Sequence, residues 1–61
     1  MSARRRDRLI AALEAEPGLT HEELAERLGL GGRHVLFLLY RLEADGRTVH
    51  EANRWYPEAP A

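Results

Sequence analysis

The stretch Leu19-Thr20-His21-Glu22-Glu23-Leu24 constrains the chain more than any other. It starts a helix with several matched devices. The Thr20 hydroxyl can accept from the Glu23 amide while the Glu23 carboxylate reaches back to the Thr20 amide, a capping box. Leu19 before the cap and Leu24 after it can close as a hydrophobic staple. Leu24, Ala25 and Leu28 then share one face, and Gly29 stands where a left-handed residue ends a helix. The pattern predicts a helix over 21–28 with both ends fixed. A helix that short is marginal alone in water, so neighbouring elements must hold it.

Those neighbours are legible. Ala3 to Ala15 carries Leu9, Ile10 and Leu13 at helical spacing, with Ser2 as its cap and Pro17-Gly18 as its stop. Val35, Leu38, Leu39 and Leu42 recur at spacings of 3, 4 and 7 and predict a third helix over 32–45, ended by Gly46. Its start is weak, because Gly31 and Gly32 stand where Ser, Thr or Asp would cap it. Arg47 to Pro57 is rich in β-branched and aromatic residues about a polar centre, which predicts a hairpin. A three-residue loop of Glu51, Ala52 and Asn53 would place Val49 opposite Trp55, both facing inward, with Tyr56 outward. The domain is expected over residues 1–57, with 58–61 as a flexible tail.

Size and composition narrow the function. A chain of 61 residues buries only about 60% of the surface its unfolded form exposes. That leaves no volume for a deep substrate pocket, and the chain is expected not to be an enzyme. There is no cysteine, hence no disulfide and no thiolate metal site. His21, His34 and His50 lack the paired spacing of metal ligands, and Ala25 stands where a zinc-protease motif begun at His21-Glu22 would need its second His. No cofactor and no metal are expected. The apolar run Leu9–Leu13 is too short for a signal or a membrane span, so the sequence predicts a cytoplasmic protein without membrane contact.

Charge is balanced, with nine Arg against ten Asp plus Glu, but it is unevenly placed. Arg4, Arg5, Arg6 and Arg8 crowd the first helix start against Asp7 alone. That is the unfavourable end of the helix dipole for a cation, and a solvated start is the simplest account. Glu22, Glu23 and Glu26 make the second helix acidic, and such a face repels phosphates. Arg33, Arg41, Arg47 and Arg54 lie in the second half.

Residues 21–40 resemble a helix-turn-helix unit. Counted from His21, Leu24 and Leu28 fill its apolar positions 4 and 8, Ala25 the small position 5, and Gly29 the position 9 that needs positive φ. Leu30, Val35 and Leu38 fill apolar positions 10, 15 and 18. With the hairpin as a wing, residues 3–57 are similar to a winged helix-turn-helix domain: mainly α, three helices and a small β-hairpin. The resemblance implies a DNA-binding regulator of transcription whose third helix enters the major groove while the wing touches the backbone. The DNA-binding candidates are then Arg33, His34, Phe37, Tyr40, Arg41, Arg47 and Arg54. Binding to double-stranded DNA would be weak and phosphate-dominated, because Leu36, Phe37 and Tyr40 stand where a base-reading face carries donors and acceptors.

Val35 to Leu42 followed by a hairpin with Trp55 also resembles the Zα domains that bind left-handed nucleic acids. The Tyr of that motif falls on Tyr40. Its Asn falls on Leu36, which cannot bond a phosphate, and its neighbouring basic position on Phe37. That resemblance implies the shared fold; the activity is not carried over. An alternative to DNA binding stays open. Leu36, Phe37 and Tyr40 lie off the core stripe, and an exposed apolar patch usually marks an interface. On that reading the third helix docks a protein partner or a second copy of the chain as a homodimer.

Overall fold

The structure, a computed structural model, describes residues 2–58, with side chains from residue 4. Three helices come first: α1 (Ser2–Ala15), α2 (His21–Leu28) and α3 (Gly32–Ala44). Three short strands complete the chain: β1 (Leu19–Thr20) between α1 and α2, then β2 (Thr48–Glu51) and β3 (Arg54–Pro57). The sheet is antiparallel with order β1-β3-β2. Helix α1 takes in Ser2, which was expected as its cap. Of the expected tail, residues 59–61 lie outside the described residues. Glu58 donates its N–H to the Arg47 carbonyl at 3.1 Å.

Helix α2 has the predicted ends. Thr20 is extended (φ −76°, ψ 164°) and accepts from the Glu23 amide at 3.2 Å, while its own N–H donates to Glu23 Oε1 at 3.0 Å. Gly29 is left-handed at φ 68°, and the Leu30 N–H reaches the Ala25 carbonyl at 3.0 Å. Helix α3 ends by the same device. Gly46 has φ 74°, its N–H donates to Glu43, and the Arg47 N–H reaches Leu42 at 2.8 Å. In both, a positive-φ residue lets the next amides satisfy carbonyls the helix leaves open.

The core joins every layer. Leu9 and Leu13 from α1, Leu24 and Ala25 from α2, Val35, Leu39 and Leu42 from α3, and Trp55 from β3 are buried together. Leu38, expected in the core, is half-buried at its edge.

The hairpin corrects the predicted register. Val49 pairs with Tyr56, and His50 with Trp55. Trp55 does face inward, as expected, but Val49 faces out and is 44% exposed. The loop has two residues, Ala52 and Asn53, both with positive φ (50° and 71°), the signature of a type I′ turn. Shortening the loop by one residue moves every β2 side chain to the other face. The inner face is therefore built from Thr48, His50 and Trp55. Thr48 is buried, and its hydroxyl donates to the Tyr56 carbonyl across the strands. Strand β1 was not predicted. Leu19 and Thr20 pair with Trp55 and Arg54, while Leu19 also packs against the core and Thr20 caps α2.

Candidate nucleic-acid interface

A helix turns about 100° per residue, so positions three, four and seven apart share a face. With Val35, Leu39 and Leu42 buried, Arg33, Phe37, Tyr40, Arg41 and Ala44 point away from the core, and all five are exposed. Phe37 is 57% and Tyr40 52% exposed. Leu36, half-buried, packs against the core instead. The surface thus holds two aromatic rings between two guanidinium groups. Arg41 lies over the Phe37 ring with its Cζ 5.7 Å from the centroid.

The hairpin borders one side of this face. Tyr40 meets Trp55 edge-on at 5.7 Å between centroids and His50 at 6.4 Å. The His50 ring lies 4.4 Å from that of Trp55, and its Nδ1 is 2.7 Å from Glu43 Oε2. A carboxylate on α3 therefore fixes a histidine on β2, and the two aromatic rings of the hairpin support Tyr40. No local pattern in the sequence points to this cluster, since its members come from elements joined only by folding.

Helix α1 borders the other side. Arg5 approaches His34 with 3.3 Å between Nη1 and Nε2, and Arg6 pairs with Asp45 at 2.9 Å. Arg8 donates to the Leu28 carbonyl at 3.2 Å. Two members of the cluster that looked like a mere solvated helix start, Arg5 and Arg6, thus lie against the two ends of α3. The signal existed in the sequence as a charge run, but nothing local says that it faces residues some thirty positions on.

The remaining cations divide. Arg33 and Arg47 are exposed, and their side chains have no acidic partner among the described residues. Arg54 departs from the expected placement. It neighbours inward-facing Trp55, so it points from the sheet's opposite face, and it donates to the Gly18 carbonyl at 2.8 Å. Arg27 is held by Glu16 at 2.9 Å, which raises its pKa further. Glu22, Glu23 and Glu26 are exposed on α2. The Glu23 carboxyl is held below its ordinary pKa, chiefly by the Thr20 N–H it accepts. His21 lies beside Gly32, and among the described residues no three His, Asp or Glu side chains gather as a metal site would require.

Comparison with known proteins agrees with this architecture. The chain is similar over 93% of its length, and over 97% of the other chain, to the Zα domain of cyprinid herpesvirus 3 ORF112, with 27% identity and a TM-score of 0.87. That domain was solved in its binding mode to Z-DNA. No curated protein matches the chain. A family model described as winged helix-turn-helix DNA-binding matches residues 4–47, from the arginine cluster of α1 to the end of the turn after α3. On these grounds the chain belongs to the winged helix-turn-helix DNA-binding family.

Proposed function

We propose that the domain docks the outer face of α3 and the adjoining β2 edge on double-stranded DNA, with phosphates as its main contacts. The observation that carries this is the exposed α3 face, where Arg33 and Arg41 stand without acidic partners among the described residues and the α1 arginines lie alongside. Arg33, His34 and Arg41 would meet phosphates from α3, and Arg47 from the turn before the wing. Tyr40 would contact sugar or base, stiffened by Trp55 and His50. Arg54 is left out, because its guanidinium is tied to Gly18 on the other side of the sheet. Leu36 and Phe37 supply no donor or acceptor for base edges, so little sequence preference is expected. Regulation of transcription is the role such docking would serve.

The test is a titration of labelled duplexes, one in B-form and one held in the left-handed form, across a salt series. Each phosphate that a variant no longer neutralises should lower the slope of log affinity against log salt by about 0.9. Arg33→Ala and Arg41→Ala should each weaken both duplexes and flatten that slope. Affinity that ignores salt, or that those variants leave unchanged, would refute the reading.

One observation favours a second reading. Phe37 and Tyr40 are large, exposed and adjacent on α3, which suits a protein partner or a homodimer. Sedimentation over a concentration series separates the two. If the parent self-associates and folded Phe37→Glu does not, the face is a protein interface; a monomer throughout that binds DNA supports the first reading.

A further inference from the structure

A fully paired duplex has little use for Phe37. Its bases present only their edges in the grooves, where a phenyl ring has no donor or acceptor to offer and can meet only a thymine methyl. The faces of paired bases are covered by their stacked neighbours. Yet Phe37 stands mid-helix on the outward face of α3 and is more than half exposed. Arg41 stacks on its ring from one turn further on, with 5.7 Å to the centroid. Arg33 lies one turn before it, and Tyr40 three residues beyond, held edge-on by Trp55 and His50. The nearest carboxylates flank the face and are engaged: Glu43 by His50 and Asp45 by Arg6. Exposed π faces between guanidinium groups are the chemistry that binds bases freed from their stack, with the ring taking the base and the cations the phosphates beside it.

We infer that Phe37 is a stacking site for an unpaired base, so that the domain favours nucleic acid with an extruded or single-stranded base over the fully paired duplex. This rests on the reading of the α3 face as a nucleic-acid surface and names the substrate within it. Stacking selects for an available base face and not for its identity, so the preference holds for all four bases.

Fluorescence anisotropy tests it with three labelled duplexes of one length at one salt concentration. One is fully paired, one carries a single-base bulge, and one carries the same bulge without its base. The bulged duplex should bind about tenfold tighter than the other two. Phe37→Ala should bring the bulged and baseless duplexes to equal affinity, whatever its effect on paired duplex; Phe37→Trp should keep the difference. Circular dichroism confirms that each variant folds. Equal binding of all three duplexes by the parent, or tight binding of the baseless bulge, overturns the inference and leaves the duplex reading standing. So does a preference that survives Phe37→Ala. No binding to any of the three overturns both.

Discussion

Gly29 shows how one residue can matter through its backbone alone. It holds φ 68°, and a Cβ added there would meet nothing within 4 Å. A substitution therefore costs conformational strain and no steric clash. A left-handed conformation is unfavourable for an L-residue by about 1–2 kcal/mol, and worse for a β-branched one. Gly29→Val should lower stability by at least that much in a denaturant melt, while Gly31→Ala, at φ −69°, should escape that strain. Glu23 acts through charge. Its folded pKa is depressed, so its contribution is present above the ordinary glutamate range and fades as pH falls through the folded value. Glu23→Gln keeps a side chain able to close the capping box but cannot titrate. Melts taken down a pH series should show a shallower acid loss for Glu23→Gln than for the parent. Parallel curves would mean that the carboxylate does not contribute through its charge.

Among the elements, the hairpin carries the clearest local conflict. A type I′ turn asks for positive φ at both central residues and favours Asn or Gly there. Ala52 supplies φ 50° without the side chain that tolerates it. The strand register is nevertheless kept, because Trp55 must lie inward over the core and Thr48 must reach the Tyr56 carbonyl. Tertiary packing overrides the turn preference. Ala52→Asn should then stabilise the domain by about 0.5 kcal/mol, a fraction of the left-handed penalty it relieves. A melting temperature that stays the same or falls would show the turn to be unstrained.

On the scale of the whole molecule, charge is sorted where the sequence total hides it. The α1 arginines lie beside α3, while exposed carboxylates collect on α2. A near-neutral protein can then present a local positive field to a polyanion. Replacing Arg4, Arg5 and Arg8 together by Ala should leave the fold intact, since all three are exposed and the bonds of Arg5 and Arg8 lie at the surface. It should also flatten the salt dependence of DNA binding, by about 0.9 in slope for each phosphate left without its cation. An unchanged slope in anisotropy titrations would confine the interface to α3 and the hairpin.

The helices and their stops were determined locally. Thr20, Glu23, Gly29 and Gly46 act on neighbours a few residues away, through hydrogen bonds whose partners all lie in one short stretch of chain. The apolar stripes of α1, α2 and α3 follow from helical periodicity in the same way, and so does the exposure of Phe37 and Tyr40 opposite Val35, Leu39 and Leu42. The hairpin register did not follow. A two-residue and a three-residue loop both suit Ala52-Asn53, and only the burial of Thr48 and Trp55 selects one. Strand β1 was hidden because Leu19 and Thr20 already had a complete local explanation in the cap of α2. The placement of Arg5 beside His34, of Glu43 on His50 and of Arg54 on Gly18 depended on elements distant in sequence. Such pairings arise from the packing angles of helices and sheet, which the buried core as a whole sets and no short stretch of residues encodes.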